Sequence, residues 1–429
     1  MESPVEILRS GRLAGLTVED LADRYGTPLF VYDLGVIDRQ VDALLAVLPD
    51  RAELAYAVKA NPALAIVAHM GRLGLGADIA SGGELATALR AGISAERIVM
   101  TGPGKRAEEL AAAVTAGVRA VTVESIGELG RLEQVARDAG RRQPVMLRVA
   151  MLESDGAERV RLVGAGGLDK FGMDATDLVD AARLVSGSAH LELLGLHAFG
   201  ASNVLEASRL VAHVAATGRK AAELGRLTGT PIRLVDAGGG LGIPYGPSDT
   251  PLELDELGRG LREVVEGWTM DPWLAEARLL LEPGRFLVGP AGAYLARVVD
   301  TKTVDGRSVV ILDGGVHHVL RPALVGTEHR VRLVSPSSRP PVAVTVAGPL
   351  CSGLDILAGA AVMAPPLVGD LVAVLDVGAY GFTESMPYFL SHPIPAEVVA
   401  RDGQAGLARP RMEPLTWLDQ QQIPDLDLP

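Results

Sequence analysis

The 429-residue chain has one cysteine, Cys351. No internal disulfide is therefore possible, and a reducing, cytoplasmic setting is expected. Aromatic side chains make up only 4% of the chain, which leaves Ala, Leu and other aliphatic residues to fill the cores. There is no basic block and the formal net charge is −13, so nucleic acid is not an expected partner. No uncharged apolar run reaches the ~18 residues of a membrane span. The opening Met1-Glu2-Ser3-Pro4-Val5-Glu6 lacks the basic and apolar regions of a signal peptide. An early G-x-G-x-x-G turn is also missing, which disfavours a doubly wound dinucleotide fold. Thr101-Gly102-Pro103-Gly104-Lys105-Arg106 lacks the first glycine and the final Ser/Thr of a phosphate-binding P-loop. No metal is expected.

What the chain does contain is a regular beat. Its length and 48% hydrophobic content suit two domains with separate cores. Residues 5–26 read as a helical lead-in. From Lys59 to Ser81, Gly102 and Glu124, short apolar runs end at intervals of about 22 residues. Ser81-Gly82-Gly83-Glu84 and Ser125-Ile126-Gly127-Glu128 are capping boxes, and Gly92, Gly117 and Gly140 stand where helices end. Further strands are expected at 145–149, 193–197, 233–236 and 279–282. That makes about eight βα units, the number that closes a (β/α)8 barrel. After about residue 285 the runs turn β-rich. The expected division is a barrel over residues 25–285, a β-rich domain from 1–24 and 286–400, and a loosely held tail over 401–429.

In such a barrel, chemistry gathers at the C-terminal ends of the strands. Lys59, in Ala57-Val58-Lys59-Ala60-Asn61-Pro62, would sit at one of these ends. A lysine there can leave water, lose its proton and form a Schiff base, although it could equally be a solvated loop lysine. Strands seven and eight end in Ala237-Gly238-Gly239-Gly240-Leu241-Gly242 and Glu282-Pro283-Gly284-Arg285. Bare glycine backbone and a cation then converge where barrels hold phosphate. A glycine run can also be a plain turn. Glu282 could face the pyridine nitrogen of pyridoxal 5'-phosphate, or simply pair with Arg285.

Tyr56-Ala57-Val58-Lys59-Ala60-Asn61, Gly195-Leu196-His197, Asp236-Ala237-Gly238-Gly239-Gly240, Glu282-Pro283-Gly284-Arg285, Gly348-Pro349-Leu350-Cys351 and Gly378-Ala379-Tyr380-Gly381 occur in this order. The series resembles the fold-type III pyridoxal phosphate decarboxylases, which include diaminopimelate and ornithine decarboxylases, over residues from about 25 to 400. The resemblance implies an alanine-racemase-like (β/α)8 TIM barrel with a C-terminal β-sandwich domain. It also implies a homodimer with shared active sites. By the same resemblance Lys59 carries the cofactor and Asp78 supports the lysine end. Glu282 pairs with the ring nitrogen, while Ser202, Gly239, Gly240, Gly284, Arg285 and Tyr380 surround the phosphate. Cys351 from the partner subunit returns the proton. Read by type alone, Cys351 could instead be a buried core residue.

Three departures bear on the substrate. Phe199 stands where the family has a ring-stacking histidine, which leaves His197 either at the edge of the site or purely structural. Ser352 follows Cys351 where the family carries an acid that grips a distal ammonium. A lost charged contact of this kind typically costs about 2–5 kcal/mol. Arg321, in Arg321-Pro322-Ala323-Leu324, resembles an anchor for a distal carboxylate, but Val325 replaces the tyrosine expected after it. Arg321 could also be a surface ion pair. Arg285, Arg321, Ser352 and Tyr380 are the candidate substrate contacts. The changes resemble the L-glutamyl-[acyl-carrier protein] decarboxylase subgroup. They imply decarboxylation of an amino acid, free or bound to a carrier protein as a thioester, in specialised metabolism. The alternatives are a diaminopimelate decarboxylase, a racemase of the same fold, or a pyridoxal phosphate-binding protein without turnover.

Overall fold

The computed structural model describes residues 11–150, 170–335 and 337–424. The chain divides into two compact units: residues 38–288, and residues 1–37 together with 289–429.

The first unit is a closed barrel of eight parallel strands. In chain order these are β1 (Ala52–Ala57), β2 (Gly76–Ile79), β3 (Ile98–Met100), β4 (Ala120–Val123), β5 (Gln143–Arg148), β6 (Leu191–His197), β7 (Leu234–Asp236) and β8 (Arg278–Leu281). β8 pairs in parallel with β1, from Leu279 opposite Ala52 to Leu281 opposite Leu54, and so closes the ring. Ala55, Val99, Ala120, Met146, Leu234 and Leu280 pack together as a buried cluster. β6 comes close to β7 at Gly195, where any Cβ would be driven into the Leu234 carbonyl.

Local signals set the strand ends. Ser81 Oγ accepts from Glu84 N at 3.2 Å, and Ser125 Oγ from Glu128 N at 3.1 Å, so both helices start where their capping serines stand. In each case the glutamate reaches one residue further back than a capping box requires. Glu84 takes the Ala80 amide and Glu128 the Glu124 amide. Gly117, at φ 74°, supplies the left-handed cap of helix Ala107–Ala116.

The second unit is built on β-sheet. Its long strand, Gly292–Val304, pairs at one end with Leu29–Asp33 and Leu371–Leu375, and at the other with Arg307–Leu312. A bulge between Val298 and Asp300 marks the change of partner. Sheet pairing continues through Val342–Ala347 and Ile356–Met363 on one side and through Ala396–Arg401 on the other.

Three expectations change. Leu29–Asp33, assigned above to the barrel domain, is a strand of this sheet. Leu29, Phe30, Val31 and Tyr32 are all buried, so no alternation tells which sheet they join. The helical lead-in shrinks to Val18–Tyr25, capped by Thr17. Before it, Arg12–Leu13 and Leu16–Thr17 form a small antiparallel pair turned at Ala14 and Gly15, both with positive φ. Residues 5–10 of the expected lead-in lie outside the described residues. The tail is also less loose than expected. Gln404–Arg409 folds back on Ala396–Arg401 through Asp402-Gly403, and Met412 bridges to Ile394. Asp-Gly between two strands is a two-residue hairpin signal.

This unit also buries a histidine pair. His317 and His318 are fully buried with ring centroids 3.7 Å apart, and neither His317 nitrogen has a hydrogen-bond partner among the described residues. Burial, with His392 nearby, pulls the His317 pKa down to about 4. The folded pKa is depressed, so the unfolded chain takes up a proton first as the pH falls. The resulting stabilisation is complete above pH 6.5, is lost between 6.5 and about 4, and is constant below that. The thermal midpoint should therefore drop across this window, and His317→Asn should flatten the drop. An equally steep drop in the variant would disprove the assignment.

Candidate active site

Lys59 follows β1 in a single 3-10 turn, Val58–Ala60, rather than on the strand itself. Tyr56 Oη donates to the Asn61 carbonyl at 3.0 Å and fixes the turn from beneath. The Lys59 ammonium donates to Asp78 Oδ2 at 2.9 Å, and Thr101 Oγ1 donates to Asp78 Oδ1 at 2.7 Å. Asp78 is 1% exposed, while the lysine side chain is 45% exposed, so the amine remains reachable from solvent.

The loop after β8 packs on this turn. A Cβ on Gly284 would lie 2.7 Å from Ala60 Cβ and 3.2 Å from Ala57 Cβ. Glu282 and Lys59 thus leave neighbouring strands at the same end of the barrel. Glu282 is buried and faces His197, whose Nε2 lies 3.6 Å from Glu282 Oε2. Burial opposes ionisation of Glu282. Hydrogen bonding and charge from His197, with the Lys59 ammonium, outweigh it and bring the pKa to about 2. Among the described residues, the charged contact of Glu282 is with His197 rather than the alternative pair with Arg285.

Arg285 is buried and turns the other way. It donates to Tyr245 Oη at 2.9 Å and to Ser202 Oγ at 3.2 Å. Around it the glycines leave bare backbone. Gly240 has φ +98°, and a Cβ there would lie 2.7 Å from the Ala201 carbonyl. At Gly239 a Cβ would strike the Glu282 carbonyl, and at Gly238 it would come within 2.8 Å of the Phe199 ring. The loop after β6 is laced to this one. Val204 N donates to Gly240 O at 2.8 Å, Gly242 N to Val204 O at 3.0 Å, and Ile243 N to Asn203 Oδ1 at 2.9 Å.

The barrel unit thus brings together Lys59, Asp78, His197, Phe199, Ser202, Gly239, Gly240, Glu282, Gly284 and Arg285. The remaining candidates belong to the sheet unit. Arg321 is buried there, with its NH1 donating to Glu384 Oε2 at 2.8 Å and its guanidinium 5.2 Å from the Tyr380 ring centroid. The guanidinium is buried and its carboxylate partner half-buried, so this is not the surface pair considered above. Cys351 is exposed rather than a core residue, and it starts a tight turn with Ser352. Asp355 holds that turn, accepting from Leu350 N and Val316 N, each at 2.7 Å.

Sequence reasoning passed over Thr101, Asp236, Tyr245, Asp355 and Glu384. Asp236 carried a signal, because it stands directly before the glycine run. The others are single residues whose partners are brought close by the fold: Asp78 for Thr101, Arg285 for Tyr245, Val316 for Asp355 and Arg321 for Glu384.

A family model described as "Pyridoxal-dependent decarboxylase, pyridoxal binding domain" matches residues 34–289. The chain belongs to the pyridoxal-dependent decarboxylase family. It is a pyridoxal 5'-phosphate-dependent carboxy-lyase. Diaminopimelate decarboxylase from Aquifex aeolicus is 34% identical over 94% of this chain and 94% of its own length. The L-glutamyl-[BtrI acyl-carrier protein] decarboxylase from Niallia circulans is 31% identical, covering 91% of this chain and 92% of that protein. Among solved structures, diaminopimelate decarboxylase from Helicobacter pylori complexed with L-lysine superposes with a TM-score of 0.86. It is 28% identical, and the match covers 94% of this chain and 99% of that one. Among the described residues of the decarboxylase, no helix is long and apolar enough to cross a membrane.

The barrel residues fit the cofactor. Glu282 Oε1 is buried and has no hydrogen-bond partner among the described residues, as an acceptor awaiting a ring N–H would be. The glycine cradle admits an anion only because no Cβ fills it.

Lys105, the cation of the P-loop-like stretch, is committed elsewhere. It is fully buried, lies 2.7 Å from Glu128 Oε1 and donates to the carbonyls of Gly102 and Thr122. Lys105→Ala would leave Glu128 as an uncompensated buried charge. It should lower stability by about 3–5 kcal/mol in denaturant unfolding, and a variant as stable as the parent would contradict this structural role.

Proposed function

We propose that the decarboxylase removes the α-carboxylate of an amino acid whose distal end carries no free ammonium, presented free or as a carrier-protein thioester in specialised metabolism. The observation that carries this reading is the turn after Cys351. Ser352 is uncharged, and the next acid along the chain, Asp355, is 2% exposed and engaged by backbone amides. A distal ammonium would gain no free carboxylate from this turn. Arg321 is already matched by Glu384, which weakens any grip on a distal carboxylate.

In this reading Lys59 anchors the cofactor, and Asp78 orients its amine. Phe199 covers the ring face, Glu282 faces the ring nitrogen, and His197 holds Glu282 in its anionic form. Ser202, Gly239, Gly240, Gly284, Arg285 and Tyr380 take the phosphate. Arg285, Arg321, Ser352 and Tyr380 are the proposed substrate contacts. Pyridoxal phosphate, when bound, supplies the electron sink for the charge left at Cα as carbon dioxide departs. Cys351, contributed by the second copy in a homodimer, returns a proton to Cα; a lone thiol beside a cationic group is a workable acid.

Diaminopimelate decarboxylation is the second reading, supported by the 34% identity to the Aquifex enzyme over most of both chains. Carbon dioxide release from carboxyl-labelled diaminopimelate, free glutamate and carrier-tethered glutamate separates the two. The tethered substrate should lead diaminopimelate by about 30-fold or more in kcat/KM, the factor a lost charged contact implies. Turnover of diaminopimelate at an equal or higher kcat/KM would overturn the proposal in favour of the second reading. Lys59→Ala should abolish both release and the visible absorbance of the lysine-bound cofactor. An unchanged spectrum would remove Lys59 from the anchoring role.

A further inference from the structure

Asp236 is a buried acid of the barrel mouth to which the proposed mechanism gives no task. It ends β7, is fully buried, and accepts through Oδ1 from Gly238 N at 2.9 Å. Its Oδ2 is buried with no hydrogen-bond partner among the described residues, and the same holds for Glu282 Oε1. One oxygen from each acid and a ring nitrogen of His197 all lie within 4.8 Å of one another. Two carboxylates this close and this dry do not both ionise, so one proton belongs to the pair.

The surroundings decide which acid holds it. The titratable groups facing the pair come from three other strand ends: Lys59 after β1, Asp78 on β2 and His197 on β6. Glu282 has the two favourable neighbours, His197 and Lys59. Asp236 has only the neutral Gly238 amide, and it feels the charges of Glu282 and Asp78. We propose that Asp236 is a protonated positioning residue, whose O–H is donated to Glu282 so that the pair presents one negative charge, correctly aimed, to the cofactor ring. Burial first, and then the Glu282 charge, push the Asp236 carboxyl well above its ordinary range, in agreement with the geometry. An ionised Asp236 would work against the Glu282 anion. A missing donor would leave Glu282 free to turn away.

This inference rests on the reading that Glu282 faces the ring nitrogen. Asp236→Asn keeps the size and an N–H donor but cannot ionise, whereas Asp236→Ala removes the donor. The readouts are the affinity of the apoenzyme for pyridoxal phosphate and the visible spectrum of the loaded protein from pH 5 to 9. Asp236→Asn should stay within about threefold of the parent in affinity, with the same pH-independent spectrum. Asp236→Ala should bind about tenfold more weakly or worse, the usual cost of a lost hydrogen bond to a charged group. An Asn variant as impaired as the Ala variant would show that an anion is required and overturn the inference. So would an Ala variant indistinguishable from the parent. If the Ala variant does not fold, the Asn variant decides alone: parental affinity and spectrum support the inference, and their loss overturns it. Glu282→Gln, run alongside, tests the underlying reading. An unshifted spectrum there overturns that reading and the inference with it. A shifted spectrum with an impaired Asn variant overturns the inference alone.

Discussion

The contact on which the site depends is the parallel pairing of the last barrel strand with the first. β8 lies against β1 in register, and this alone carries Glu282 and Lys59 from opposite ends of the barrel sequence to one mouth. Gly284 then allows the loop after β8 to rest on the lysine turn, because a side chain there would meet Ala57 and Ala60. A cation and an anion with separate partners, Asp78 for one and His197 for the other, remain distinct at the same end of the barrel. Were the two to pair directly, neither would be available to a ligand. Separating charges in this way is the work of the strand ends and the first residues that follow them.

The electrostatics of that mouth run against burial, and the molecule manages this by sharing protons and donors. Glu282 is buried yet anionic, because an imidazole and an ammonium face it. Arg285 is buried too, and a phenol and a hydroxyl take two of its donors. The sheet unit does the reverse. Arg321 is neutralised by Glu384, and Asp355 serves the backbone. The barrel mouth thus holds its charges with neutral and oppositely charged neighbours from several strand ends, whereas the sheet unit pairs Arg321 with one carboxylate.

Much of the barrel was legible in the sequence, because each strand is short, apolar and followed by a residue with an unmistakable local duty. Ser81 and Ser125 start helices and Gly117 ends one, and these positions fixed the beat that led to eight strands. Leu29–Asp33 was misplaced because a strand buried on both faces carries no mark of its sheet. The hairpin at Asp402-Gly403 had a clear local signal, obscured by the polar, proline-rich composition around it. Glycines and the lysine of the site were visible as motifs. Thr101, Tyr245 and Glu384 were not, since each matters only through a partner brought close by the fold. Asp236 was in view within a motif, but its significance needs the orphaned oxygen of Glu282 beside it.

The lacing between the loops after β6 and β7 has a consequence for how this protein can vary. Val204 gives and takes hydrogen bonds with the backbone on either side of Leu241, and Asn203 holds the amide of Ile243. An insertion or deletion in either loop would break that ladder unless the other changed length in step. This corner is therefore open to swaps of side chains but closed to independent drift in loop length, and new specificities are more easily built at other rims of the barrel.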